Sequence, residues 1–160
     1  MIKKIISGGQ TGADRGGLEA AKILGIKTGG WCPKNYKTEN GPDFSLIDFG
    51  LQCTTSSNYN IRTSLNIQIS DATIIFGNLK EGGSKLTLDL CQNTWKKIVL
   101  PVELLKYRNI HILRDHITSE YIKNWLESNN IEILNVAGNR ESKMPGIQNF
   151  VKEFLVKCFS

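Results

Sequence analysis

The sequence contains no long hydrophobic run, and no apolar stretch approaches the roughly 20 residues that a membrane-spanning helix needs. The apolar residues near the start give way at once to Ser7, Gly8 and Gly9, which is typical of a buried strand and not of a signal-peptide core. We therefore expect a protein that is located in the cytoplasm and does not bind membranes.

Cysteine and histidine are too few and too scattered to indicate a zinc site. The two histidines are His111 and His116. The four cysteines form no C-x-x-C pair: Cys32, Cys53, Cys91 and Cys158. We expect no metal site, and we expect reduced thiols that mostly pack as small apolar groups. Cys32 stands apart because it lies in an unusual loop.

Basic residues never form a run longer than a pair, so the sequence has no tract of the kind that binds nucleic acid. The net charge of +5 is a mild excess that suits an anionic ligand. The 160 residues, 40% hydrophobic and 22% charged, are typical of a soluble globular protein. We expect one domain over residues 1–160.

Short apolar strands alternate with amphipathic helices along most of the chain. Strands are predicted over residues 3–7, 71–77, 97–102, 110–113 and 131–137, and helices over 14–24, 59–69, 84–95, 118–128 and 145–159. Residues 27–57 show little periodicity and are predicted to form a long functional loop. This alternation predicts an α/β fold of three layers, with a mainly parallel sheet and helices on both faces.

Three polar turns follow predicted strands, and ligands of such sheets bind beyond the carboxyl ends of the strands. Glycine lets the backbone come close to a ligand, and amides at the start of a helix can face an anion. The three turns together predict one cradle for a small phosphate-bearing ligand.

The first turn spans residues 7–15, and it matches neither G-x-G-x-x-G nor the P-loop pattern. Asp14 either caps the following helix or contacts the ligand. A plain tight turn is the alternative for the whole segment. The residues expected to contact the ligand are Gly8, Gly9, Gln10, Thr11, Gly12, Ala13 and Arg15.

The second and third turns have similar chemistry. For Ser84 the alternative role is that of an N-cap, and for the third turn the alternative is a surface loop with solvated charges. In the second turn the candidate ligand residues are Gly77, Asn78, Gly82, Gly83, Ser84 and Thr87. In the third they are Gly138, Arg140, Glu141 and Ser142.

Short segments along nearly the whole chain resemble the molybdenum cofactor carrier family. They are SGGQTGADRGGLEAA at 7–21, GGWCPK at 29–34, YNIRT at 59–63, SDAT at 70–73, GGS at 82–84, NVAG at 135–138, RES at 140–142 and PG at 145–146.

The resemblance implies a Rossmann-like fold, a homo-oligomer that is often a tetramer, and binding of molybdenum cofactor (molybdopterin) without its transformation. Molybdoenzymes would then accept the cofactor. Lys34, Arg62 and Thr63 would contact phosphate or oxo groups, and Trp31 and Tyr36 would cover the pterin. A structural ion pair is the alternative for Arg62, and a packing role is the alternative for Trp31.

The carrier family is related to lysine-decarboxylase-like enzymes, including phosphoribohydrolases with the signature P-G-G-x-G-T-x-x-E. The present chain keeps both paired glycines but has Lys85, Leu86 and Asp89 where that signature has Gly, Thr and the catalytic Glu. These differences favour a binding protein over an enzyme. A nucleotide-processing hydrolase and a sensor of a nucleotide-like ligand remain the alternatives.

Overall fold

The computed structural model describes residues 1–107, 110–113 and 117–160, so His116 lies outside the described residues. The strands are β1 Lys4–Ile6, β2 Lys27–Cys32, β3 Lys37–Thr38, β4 Gly41–Pro42, β5 Leu51–Cys53, β6 Ala72–Gly77, β7 Ile98–Tyr107, β8 Ile110–Leu113 and β9 Ile133–Gly138. The helices are α1 Ala13–Ile23, α2 Tyr59–Ile69, α3 Gly82–Asp89, α4 Ser119–Ser128 and α5 Ile147–Phe159. Within these ranges, no helix has the length and apolar character needed to cross a bilayer.

Seven strands form the central sheet in the order β5-β2-β1-β9-β6-β7-β8, and β3 and β4 form a separate hairpin. Neighbouring strands from β5 to β7 are parallel, whereas β8 pairs with β7 in the antiparallel direction. The prediction of a mainly parallel, Rossmann-like α/β fold is therefore confirmed.

Helices cover both faces of the sheet. Side chains alternate between the two faces along each strand, so apolar side chains on each face need helices to bury them. In β6, Ile74 and Phe76 belong to the main core, which α1, α4 and α5 also line. Ile75 points the other way and is fully buried, on the face where α2 and α3 pack against the sheet. The strands at the centre are thus buried on both faces, which explains their nearly continuous apolar sequence.

The prediction of a structureless loop over residues 27–57 is wrong. This segment contributes β2 and β5 to one edge of the sheet, where they pair with each other. The β3–β4 hairpin comes between these two strands in the sequence. Gly29 and Gly30 weaken the local strand signal, and pairing of β2 with β1 supplies the stabilisation that the local sequence does not.

Candidate functional site

A cavity of about 570 Å³ lies at the carboxyl edge of the sheet, where the loops after β1, β6 and β9 meet the start of α2. Its volume is within the range of small-molecule pockets. Ten of the predicted site residues line it: Gln10, Arg62, Thr63, Asn78, Gly82, Gly83, Ser84, Thr87, Gly138 and Arg140. Its other lining residues are Asp14, Tyr59, Asn60, Glu81, Leu86, Ala137, Asn139, Lys143 and Met144.

The first turn of α3 lines the cavity with backbone amides that have no hydrogen-bond acceptor among the described residues. The amides of Gly82, Gly83 and Ser84 precede the first intrahelical bond, and no side chain caps this end of the helix. Glu81, not Ser84, occupies the N-cap position, so the capping role considered for Ser84 is wrong. The hydroxyl of Ser84 is buried and has no hydrogen-bond partner among the described residues.

Arg62 brings a guanidinium to the same cavity and pairs with Asp14. Its Nη1 lies 3.2 Å from Oδ2 of Asp14, while its buried Nε has no partner in the described part of the chain. A Cβ at position 8 would stand 1.7 Å from Nη1, so Gly8 is required for this approach. Arg62 therefore forms the ion pair and also keeps one donor free for a ligand.

Asp14 is a buried carboxyl group held by several donors. Its Oδ2 accepts a hydrogen bond from the amide of Gln10 at 3.2 Å in addition to the contact with Arg62. Burial raises the pKa of Asp14, although Arg62 and the amides of Gln10 and Gly8 oppose the rise. Gly12 occupies the N-cap position of α1 without a side-chain cap, so the capping role considered for Asp14 is wrong. The Asp14 side chain instead binds the first loop and forms part of the cavity wall.

Amides of the first loop donate to acceptors within the protein, contrary to the expectation that they face an anion. The acceptors are Ser7 Oγ for the amide of Gly9, Gln10 Oε1 for Thr11, Gln148 Oε1 for Gly12 and Asn139 O for Ala13. Gln10 lines the cavity, whereas the lining does not include Gly8, Gly9, Thr11, Gly12 and Ala13.

Glu39, in the β3–β4 hairpin, was not predicted, and it binds three residues that were expected to hold an anion. Its carboxylate accepts hydrogen bonds from the hydroxyls of Thr11 and Ser142, and Arg140 Nε lies 3.6 Å from Oε2. Burial opposes ionisation of Glu39, but the bonds from Ser142 and Thr11 and the charge of Arg140 outweigh it and lower its pKa.

Several other predicted ligand residues are engaged elsewhere. Glu141 accepts hydrogen bonds from the amides of Gly146 and Gln148, so it binds the N-terminus of α5. Arg15 contacts Glu19 at 3.3 Å and Asp43 at 3.1 Å. Neither of these two residues lines the cavity.

Lys34 and Gly77 also lie outside the cavity lining. Lys34 is exposed in a short turn after β2. Gly77 leaves room for the side chain of Asn139, because a Cβ at position 77 would stand 1.9 Å from Asn139 Oδ1. This oxygen accepts a hydrogen bond from the amide of Asn78 at 2.6 Å, which joins the second loop to the third.

Tyr59 provides the aromatic ring of the cavity wall, in place of Trp31 and Tyr36. The Lys37 Nζ lies 5.2 Å from the centroid of its ring, and the Arg62 Cζ lies 5.8 Å from it. Tyr36 instead packs edge-on against Phe44, with ring centroids 5.8 Å apart. The sequence did offer a signal for Tyr59, because this aromatic residue begins the same helix that carries Arg62.

Fold and cavity together define a Rossmann-like protein with a candidate site above the carboxyl ends of its parallel strands. The chain belongs to the circularly permutated YpsA SLOG family, whose sequence profile matches residues 5–159.

A crystal structure described as "Putative molybdenum carrier protein", from Syntrophus aciditrophicus SB, is similar to this chain at 36% sequence identity and a TM-score of 0.82. The alignment covers 99% of this chain and 94% of the other. A search of the curated proteins gave no significant match.

Proposed function

We propose that the protein binds molybdenum cofactor by its phosphate group and carries, protects or stores it in the cytoplasm without turning it over. The observation that carries the proposal is a pair of buried polar atoms, Ser84 Oγ and Arg62 Nε, which have no partner in the described part of the chain and belong to residues of one cavity. A buried polar group without a partner costs about 1–3 kcal/mol, and a ligand oxygen would remove that cost.

A phosphate is the group that best suits these donors. The start of α3 offers amides and a partial positive charge, and Arg62 adds a full charge. Each charge-assisted hydrogen bond contributes about 1.5–3 kcal/mol, so a few of them are enough for micromolar affinity, which needs about 8 kcal/mol. Open space above Gly82 and Gly83 leaves their backbone accessible.

The rest of the cavity suits a ring system attached to that phosphate. Tyr59 offers an aromatic face, and Glu81 and Asn60 line the same space with polar groups that can bind ring N–H and carbonyl groups. When bound, the cofactor would supply its metal–dithiolene chemistry only to the enzymes that receive it. The name of the similar carrier structure supports this choice of ligand over other phosphate esters.

The proposal is tested by native mass spectrometry of protein purified from a molybdenum-replete host. We expect cofactor mass on the wild type and on Ser64→Ala, a control on α2 whose side chain does not line the cavity. Ser84→Ala should lose most of that mass because it removes one donor to the phosphate. A wild type that carries no cofactor, or equal retention by the two variants, would contradict the proposal.

A nucleotide-processing hydrolase is the second candidate, and the position of Glu81 favours it. Glu81 lines the cavity, and its Oε1 lies 3.3 Å from Nδ2 of Asn78. Asp89 and Glu141, the other two acids considered for this role, do not line the cavity, and Asp89 pairs with Lys85 at 2.6 Å. Release of free base from nucleoside monophosphates by the wild type but not by Glu81→Gln would favour this enzyme over the carrier.

We extend the proposal to a homo-oligomer, with a tetramer as the expected size, and to molybdoenzymes as acceptors of the cofactor. Two exposed isoleucines on α2, Ile61 at 44% and Ile69 at 46%, offer apolar surface for assembly. Light scattering coupled to gel filtration should give a mass above the 17.9 kDa of one chain. A monomer at micromolar concentration would remove this part of the proposal.

A further inference from the structure

Two of the four cysteines, Cys32 and Cys53, lie against each other. Cys32 at the end of β2 and Cys53 at the end of β5 are direct partners in the parallel register. Their Sγ atoms are 3.6 Å apart. Among the described residues this is the one pair of thiols in contact, since Cys91 and Cys158 are buried elsewhere in the core.

The backbone already has the spacing that a disulfide needs. Adjacent strands run about 4.8 Å apart, and bonded cysteines have Cα atoms roughly 4.4–6.8 Å apart. The sulfurs would have to approach by about 1.6 Å to reach the bonding distance of ~2.05 Å. Cys32 and Cys53 are the last residues of their strands, and rotation of the two side chains would have to supply most of that approach.

The two thiols have different surroundings, and this assigns them different roles. Cys53 is half-buried, and its sulfur accepts a hydrogen bond from the amide of Tyr36 at 3.3 Å. Cys32 has no exposed surface, and burial, together with the neighbouring Cys53, raises its pKa to about 12. Cys53 is therefore the sulfur that an oxidant reaches first, and Cys32 is the resolving thiol.

We propose that Cys32 and Cys53 form an oxidant-sensitive dithiol that a peroxide converts to an intramolecular disulfide. In the first step the Cys53 thiolate attacks peroxide, takes up one oxygen as sulfenic acid and, with one proton, releases water or an alcohol. In the second step the Cys32 thiol displaces the sulfenic hydroxyl, forms the S–S bond and releases water. The peroxide gains the two electrons that the thiols lose, and a dithiol reductant reverses the change.

The disulfide would lie next to the cavity wall. Trp31, the residue before Cys32, forms two hydrogen bonds with Asn66 of α2. The Trp31 amide donates to Asn66 Oδ1 at 2.8 Å, and Asn66 Nδ2 donates to the Trp31 carbonyl at 2.9 Å. The same helix carries Arg62 and Tyr59 into the cavity. The dithiol proposal nevertheless stands on its own contacts and does not depend on the identity of the ligand.

Peptide mapping tests the proposal on the intact wild-type chain. The protein is treated with hydrogen peroxide in native buffer, quenched, unfolded, alkylated and digested with trypsin. Trypsin places each cysteine in its own peptide, with Cys32 in residues 28–34 and Cys53 in residues 38–62. We expect a linked 28–34/38–62 peptide, loss of two of the four alkylation sites, and full alkylation of Cys91 and Cys158. Treatment with dithiothreitol should restore all four sites.

Matched variants separate the two roles. In Cys32→Ser, Cys53 should stop at the sulfenic acid, which dimedone traps, and in Cys53→Ser, Cys32 should stay a thiol. Cys91→Ser should still form the link. Sulfinic acid at Cys53 of the wild type without a link, links only between chains, or oxidation of all four cysteines at one rate would each overturn the proposal. If a variant does not unfold cooperatively, the wild-type map alone decides.

Discussion

At the scale of single residues, Glu39 controls how the hairpin joins the first and third loops. The hydroxyls of Thr11 and Ser142 and the charge of Arg140 hold its carboxylate ionised, although burial opposes this. Its folded-state pKa is therefore below the ordinary value of 4.5. A depressed carboxyl pKa contributes stability that is present in full above the ordinary value and is lost as pH falls through the folded-state value.

We expect Glu39→Gln to lower the stability at neutral pH by about 1 kcal/mol, the usual worth of a hydrogen bond. In a chain of this size that is a fall in Tm of roughly 2–4 °C. The difference from the wild type should shrink as pH falls below the ordinary value. Thermal unfolding at several pH values measures it, with Glu153→Gln as control because Glu153 is exposed and its carboxylate accepts a hydrogen bond from Asn149 of the same helix. A pH-independent difference would refute the assignment.

The sequence pointed to the residues at the start of α3 because glycines followed by a hydroxyl residue are a local signal. It could not point to Glu39, since Glu39 and Ser142 meet across 103 positions of the chain. The chemistry of three residues, Thr11, Arg140 and Ser142, predicts that they bind an anion, and in the structure they do. The carboxylate that they bind comes from the chain itself, which only the folded hairpin brings into place.

At the scale of elements, the start of α3 combines an uncapped helix end with two glycines. Gly82 has a φ of 64°, which glycine adopts without strain. Gly83 has no such constraint, and a Cβ built there meets nothing within 4 Å. The backbone at position 83 therefore tolerates a side chain, and the absence of one leaves the cradle open.

Gly83→Ala should keep or raise the stability of the protein while weakening phosphate binding. Alanine stabilises a helix by up to about 1 kcal/mol relative to glycine, but its methyl group would stand beside the exposed amides. We expect a Tm equal to or above that of the wild type and a Kd for inorganic phosphate at least about tenfold higher, which corresponds to roughly 1.4 kcal/mol. Calorimetry of both proteins checks this, and unchanged affinity would show that the anion binds elsewhere.

The elements that the sequence revealed are those stabilised by their own composition. In β6 the run Ala72–Gly77 is apolar except for Thr73 and is buried at every position, so it could be recognised without its neighbours. In β2, Lys27–Cys32 contains two glycines and only partial burial, and its strand conformation depends on the registers with β1 and β5. Local patterns cannot carry that information, because the pairing partners are distant in sequence.

At the scale of the whole molecule, the cavity is lined by the loops that follow β1, β6 and β9 and by the start of α2. Arg62 reaches from α2 to Asp14 of α1, and Asn139 reaches from the third loop to Asn78 of the second. A ligand at the start of α3 that also contacts Arg62 would therefore join α2, α3 and the β1 loop. Binding free energy should then appear as stability of the whole cooperative unit and not as local ordering alone.

This linkage predicts a measurable rise in Tm with anion concentration. At a free phosphate concentration of 100 times its Kd, the stabilisation is about 2.7 kcal/mol, or roughly 5–11 °C for a domain of this size. Sodium chloride at matched ionic strength separates specific binding from screening of the positive net charge. The rise should persist in Ser64→Ala and fall sharply in Ser84→Ala, because only the latter loses a donor in the cradle. If phosphate raised the Tm of both variants equally, the Ser84 hydroxyl would not be a donor to the anion. The anion would then lie away from the start of α3.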